Sequence, residues 1–264
     1  MTVIDAHAHI YPIKIAEKAT EVIGEFYDIK MSLPAGTSDR LLIDGKKAGI
    51  DRFVVHSVAT KAKQVESINN FITEECAKHG EFIGFMTLHQ DLTEEEIYDQ
   101  VKVCFDKGIS GIKLHPDFQR FYIDDENCFK IYRVAGEFSL PILFHTGDDR
   151  YEFSKPYRLA KVAKLFPKNR FIGAHFGGYR CWNELDCYSG LDNVYFDTSS
   201  SLPFIPPEFA TELIEKFGEE KFFFGTDFPM WKADEELARF DKLNLSERTR
   251  EMIFSDNLLN LLKK

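Results

Sequence analysis

The sequence predicts a single-domain (β/α)8 barrel. Three observations point there: eight short apolar runs recur from end to end, helix-like segments separate them, and most of the histidines stand where those runs stop. The length of 264 residues suits such a barrel, which typically takes about 250 residues as one domain.

The runs occupy residues 3–10, 52–58, 82–88, 111–115, 141–145, 170–175, 194–198 and 221–227. They are nearly continuous in apolar residues and rich in Val, Ile and Phe, the pattern of parallel strands covered on both faces. Between them, residues 65–78 and 94–107 have helical spacing, and the second segment ends in Lys107-Gly108, a basic last turn before a helix-stopping glycine. Residues 158–166 carry apolar side chains at helical intervals and stop at Pro167. Strands alternating with helices close into a barrel, with a doubly wound open sheet as the competing architecture. No linker-like tract, internal repeat or low-complexity segment interrupts the chain, so residues 1–264 read as one domain. Two insertions stand out, 11–40 after the first strand and 177–192, with Trp182 and Tyr188, after the sixth. Loops that follow strands lie on the catalytic face of a barrel, so both are candidates for a lid or pocket wall. The plainer reading is that they only cover the barrel end.

Composition narrows the function classes. The chain is 44% hydrophobic and 29% charged, ordinary for a soluble globular protein. A net charge of −10 with no basic run argues against nucleic acid or an anionic membrane surface, because both draw affinity from Lys and Arg. Cys76, Cys104, Cys128, Cys181 and Cys187 form no C-x-x-C pair, so all five are expected as free thiols in a reducing compartment. No apolar run approaches the ~20 residues of a membrane span, and with so few residues ahead of the first strand no leader is expected. The expectation is a cytoplasmic protein acting on a small molecule, with an aromatic inventory compatible with a homodimer.

The chemistry concentrates at strand ends. His7, His9, His115, His145 and His175 close predicted strands, His56 and His89 lie near strand ends, and His79 falls in a helical stretch. In a barrel those ends converge on one rim, where catalytic residues come from several strands. In Asp5-Ala6-His7-Ala8-His9, strand alternation predicts that Asp5, His7 and His9 share one face, so that two imidazoles can share a cation. His145 and His175 each arrive from their own strand and are followed by Gly147 or Gly177-Gly178, which would let the chain turn sharply and a substrate approach. Asp227 ends the last strand, where a carboxylate after so apolar a run needs a cation or strong donors; its plainer role is a helix N-cap. His7, His9, His145 and Asp227 fit a hydrolytic zinc-type site with an open position for water. Lys113 and His115 share one strand face and, with Arg150 from a post-strand loop, are candidates to bind a substrate carboxylate. The plainer reading of Lys113 is an ion pair with a nearby carboxylate.

Five motifs in order carry a resemblance: Asp5-x-His7-x-His9, Gly111-Ile-Lys-Leu-His-Pro116, the strand-ending His145, Ala174-His-Phe-Gly-Gly178 and Gly225-Thr-Asp-Phe-Pro229. Together they resemble the amidohydrolase superfamily, and within it the amidohydrolase-related (amidohydrolase 2) branch. That branch contains metal-dependent hydrolases and decarboxylases of the aminocarboxymuconate semialdehyde decarboxylase type. The resemblance implies a (β/α)8 barrel of the metal-dependent hydrolase type. It further implies a divalent metal, most often zinc, bound by His7, His9, His145 and Asp227. His175 would sit beside the metal or hold a second one, and Lys113 would occupy the place of a lysine that is carbamylated in binuclear relatives.

The leading expectation is hydrolysis of an amide, lactone or ester bond in a small carboxylated substrate, with Asp227 or His175 moving the proton. The alternative at the same site is non-oxidative decarboxylation of an aromatic or dienoic acid. A third reading, a non-catalytic ligand-binding barrel, expects a degraded ligand set, whereas every ligand position is filled here.

Overall fold

In a computed structural model that describes residues 1–263, eight parallel strands form one sheet in sequence order. They are β1 Ile4–His9, β2 Arg52–His56, β3 Phe82–Thr87, β4 Gly111–Leu114, β5 Ile142–Phe144, β6 Phe171–Gly173, β7 Val194–Asp197 and β8 Phe222–Phe223. The helices are α1 Ile13–Tyr27, α2 Ser38–Ala48, α3 Val65–Lys78, α4 Glu94–Asp106, α5 Pro116–Gln119, α6 Phe129–Glu137, α7 Pro156–Leu165, α8 Pro207–Phe217, α9 Ala233–Phe240, α10 Glu247–Glu251 and α11 Asn257–Leu262. Between β6 and β7 a 3-10 segment, Trp182–Tyr188, stands where a crossover helix is expected. The sheet closes on itself where Ala6 N donates to Phe224 O (2.8 Å), Asp227 N to His7 O (2.9 Å) and His9 N to Phe228 O (2.8 Å). The open-sheet alternative is thereby excluded, and the fold is a (β/α)8 barrel.

Alternation along each strand sorts side chains into two layers. Phe53, Val55, Ile112, Leu114, Ile142, Phe144, Phe171 and Phe196 pack outward against the helices. Val54, Phe85, Leu143, Ile172 and Phe223 point inward, where Leu258 and Leu261 of α11 close the lower end. The upper interior is polar, because Lys113, His56, His115, His145 and Asp197 occupy the next inward positions of their strands and are buried.

Two departures from the expected strands matter for the site. Asp5 pairs with Phe53 and Ala8 with Val55, so β1 carries one extra residue between them. A bulge of one residue reverses the alternation beyond it. Ile4 and Ala6 therefore join the inner cluster, Ala8 packs outward, and His7 and His9 point inward. The expectation that Asp5 shares their face is corrected: its carboxylate turns to the β8 end, accepting from Thr226 N (2.9 Å), Thr226 Oγ1 (2.5 Å) and His7 N (3.0 Å). The second departure is β8, which is regular only over Phe222–Phe223. Beyond it, Gly225 N bonds to Thr198 Oγ1 (3.1 Å) and Thr226 N to Asp5, so side chains replace the ladder and Asp227 turns at φ 60°.

Candidate metal centre

His7 is oriented from behind. Its Nδ1 lies 2.8 Å from Asp197 Oδ2, and a carboxylate only accepts, so the ring proton sits on Nδ1 and the Nε2 lone pair faces the barrel axis. Burial alone would raise the Asp197 carboxyl, but His7, His175 and Ser199 outweigh it and hold it at about 2. His7 itself is lowered to about 4, by burial first and then by the Lys113 charge. It is neutral at pH 7, as a ligand must be.

Around His7 Nε2 stand His9 Nε2 at 3.3 Å and Asp227 Oδ1 at 3.4 Å, and the His9–Asp227 edge is also 3.4 Å. Donors bound to one cation at about 2.0–2.2 Å, with angles between octahedral and tetrahedral, lie roughly 2.9–3.6 Å apart, so the triangle has the dimensions of three corners of a coordination shell. Burial would raise Asp227, but the facing imidazoles of His7, His9 and His175 hold it well below the usual carboxylate range. Its second oxygen accepts from Ser200 Oγ (2.5 Å), and the N-cap of the next helix, α9, is Lys232, so the N-cap reading does not hold. His175 offers a nitrogen within 4.8 Å of His7 and Asp227.

His145 stands one step away, in a cluster with His115 and Asp117. Its Nε2 faces the Gly147 carbonyl (3.1 Å) and its Nδ1 faces His175 Nε2 (3.0 Å). His175 Nδ1 faces the Ser199 carbonyl (3.1 Å). Carbonyls accept only, so both rings carry their N–H on the carbonyl side, and two lone pairs meet across 3.0 Å. Such a contact needs a proton or a cation between the two nitrogens.

Lys113 Nζ lies 3.1 Å from His7 Nε2, fully buried, and burial lowers it to about 8 against the pull of Asp197 and Asp227. No ion pair of Lys113 is found among the described residues; it meets the His7 corner of the triangle instead. His115 stacks on Phe118 (3.8 Å, 12°) and on His145 (4.1 Å, 4°) and meets the Tyr27 hydroxyl at 2.9 Å.

These side chains floor a narrow cavity walled by Ile23, Tyr27, Met31, Phe118, Pro229 and Met230. Ile23, Tyr27 and Met31 all come from the 11–40 insertion. The 177–192 insertion backs the site, with Trp182 Nε1 donating to the His175 carbonyl at 3.0 Å. Arg150 is not among the described residues that line the cavity. It is held by Asp148 (2.9 and 2.8 Å) and by the Phe26 carbonyl (2.6 Å), latching α1 to the loop after β5. Gly147 likewise serves the protein itself: at φ 81°, an added Cβ would lie 2.3 Å from Tyr179 N, so backbone fills the space offered to substrate. Sequence reasoning passed over Asp197, although it closes an apolar strand as Asp227 was expected to do. It also passed over Ser199 and Tyr27, for which no local pattern exists.

Comparison with known proteins bears on the fold and the family. No curated protein matches the chain by sequence. Among solved structures, an uncharacterized TIM-barrel protein from Bordetella bronchiseptica superposes with a TM-score of 0.81 at 17% identity, covering 99% of this chain and 98% of that one. The 5-carboxyvanillate decarboxylase of Novosphingobium aromaticivorans, complexed with manganese and 4-hydroxy-3-methoxy-5-nitrobenzoic acid, gives 0.79 at 16% identity, covering 100% and 96%. The 2,6-dihydroxybenzoate decarboxylase from Rhizobium gives 0.74 at 18% identity, covering 99% and 98%. At such identities the likeness is one of fold. The amidohydrolase family model (Amidohydro_2) spans residues 4–263, taking in the β1 histidines and Asp227 alike, and the chain belongs to that family.

Proposed function

We propose that this protein is a metal-dependent, non-oxidative decarboxylase of a small aromatic acid, with His7, His9 and Asp227 at the core of its metal site. The observation that carries the reading is the donor triangle set beside a flat aromatic wall, in which His115 lies parallel to both Phe118 and His145. A planar ring carrying a carboxylate suits that pairing. Fold relatives described as decarboxylases of 2,6-dihydroxybenzoate and 5-carboxyvanillate support it further. Hydrolysis, the leading expectation from sequence, uses the same donors and stands second for that reason.

A divalent cation would hold a substrate oxygen and draw electron density from the ring. The nitrogen and oxygen donors suit zinc or manganese, and the Novosphingobium neighbour holds manganese. Lys113, still largely protonated at pH 7, pairs with the substrate carboxylate. When the ring–carboxyl bond breaks, its electron pair stays on the ring carbon, CO2 leaves, and that carbon takes one proton. Burial favours the neutral forms of His175 and His145, so His175 relays to that carbon a proton drawn from solvent, while Asp227 stays ionised as a ligand. ArCOO⁻ and H⁺ thus give ArH and CO2.

The test is incubation of metal-loaded protein with hydroxybenzoates, including the two acids above, in deuterated water. CO2 release with one deuteron on the vacated carbon is expected, and His175→Asn should lower kcat by roughly 10²–10⁴-fold. Turnover of lactones or esters with no CO2 from any aromatic acid would return the assignment to hydrolysis. Metal uptake without turnover of either class would leave a binding barrel.

A further inference from the structure

His56 closes β2, is fully buried, and has no hydrogen-bond partner at either ring nitrogen. A neutral imidazole carries one N–H and one lone pair, so both are left unanswered. Buried polar atoms are so regularly partnered that a ring with two vacant nitrogens calls for a ligand. Its neighbours are the two histidines of the triangle. The His56 ring stands 4.4 Å from that of His9 at 90° and 4.9 Å from that of His7 at 73°. His9 Nδ1 is also buried without a partner. The three imidazoles offer nitrogens within 4.8 Å of one another.

Ring orientation decides what such a group can do. A lone pair lies in its ring plane, so rings that meet edge to face can aim at one point. His115 and His145, parallel at 4.1 Å, cannot do so without turning. Donors on one cation lie about 3–4.2 Å apart at bonds near 2.1 Å, and His56, within 4.8 Å of both histidines, is drawn in by a turn of its ring. Among the described residues that line the cavity, His56 is absent. It stands behind His7 and His9 and does not touch substrate.

We propose that His56 is a further imidazole ligand of the metal centre, entering from β2 on the side turned away from the cavity. The inference rests on the reading of His7, His9 and Asp227 as a metal site, and it adds a donor from a strand that the family resemblance leaves out. A third nitrogen beside one carboxylate oxygen shifts the centre's preference toward zinc or cobalt over manganese.

The test uses the full chain stripped with chelator and reloaded with Zn²⁺ or Co²⁺. Affinity is read by chelator competition, and the number of bound imidazoles by X-ray absorption. His56→Gln is expected to lose one imidazole and to bind more than about 100-fold more weakly, beyond the 10–100-fold cost of removing an outer partner. The Co²⁺ spectrum should change with it. An unchanged imidazole count in His56→Gln overturns the proposal, whatever the affinity. Should that variant not fold, His56→Asn is read in the same way. His7→Ala separates the two readings: if it binds metal as tightly as the native chain, the metal site itself is misplaced. If His7→Ala loses metal while His56→Gln keeps its full count, only the role of His56 fails.

Discussion

Asp197→Asn tests whether the metal centre is built from behind. The native carboxylate takes four donors on two oxygens. His7 Nδ1 (2.8 Å) bonds to one, while His175 N (3.0 Å), Ser199 N (3.1 Å) and Ser199 Oγ share the other. Asparagine has the same shape but one acceptor oxygen. If that oxygen keeps the three donors on its side, the amide NH2 faces His7 and needs an acceptor there. The imidazole proton then moves to Nε2, which removes the lone pair from the triangle with His9 and Asp227. Losing an outer partner of this kind weakens metal binding by roughly 10–100-fold, which corresponds to about 1.4–2.7 kcal/mol. The assay is chelator competition for Zn²⁺ or Mn²⁺ at pH 7.5, with circular dichroism to verify the fold. An affinity within about twofold of the native chain would refute the reasoning, because His7 would then choose its tautomer without Asp197.

Two further outcomes follow from groups outside the triangle. Arg150→Gln should leave metal affinity unchanged, lower stability by about 1 kcal/mol because its guanidinium is partly exposed, and speed proteolysis within α1. Unchanged cleavage together with a KM raised more than about 100-fold would make Arg150 a substrate contact. Glu236 of α9 is buried, with one carboxylate oxygen unpartnered, and burial raises it to about 8 against the pull of Arg239. The folded state thus keeps a proton that the unfolded chain releases near 4.5, so stability present below that pH is lost as pH climbs toward 8. Glu236→Gln has no such loss, and its Tm advantage over the native chain should grow between pH 5 and 8.5, reaching the equivalent of about 3–5 kcal/mol at most. A Tm difference that does not change with pH would contradict this.

The barrel was legible because each strand is buried on both faces and therefore reads as a continuous apolar run. Seven of the runs end within about two residues of the observed strands, inside the usual boundary scatter. The run at 221–227 overshoots, since Phe224 is as apolar as Phe223 yet its N–H bonds to the Ile253 carbonyl near the C-terminus. Composition reports burial, and nothing in it reports which backbone group answers which.

Within the site the same limit appears more sharply. Asp5, Asp197 and Asp227 are chemically identical and stand at or near strand ends, yet each does something different. A one-residue bulge turns Asp5 out of the barrel, where it holds the β8 turn at Thr226 and burial raises it to about 7. Asp197, pointing in from β7, orients His7. Asp227, carried past the last regular strand and turned at φ 60°, reaches the triangle itself. Alternation counted along a strand would assign Asp5 to the site and says nothing of Asp197. The histidines escape this ambiguity because several strands deliver them to one rim, so an error of one residue in any strand still leaves a cluster. A carboxylate that supports a single imidazole has no such redundancy. Its role depends on register, which is settled by the closure of β8 on β1 and by no residue taken alone.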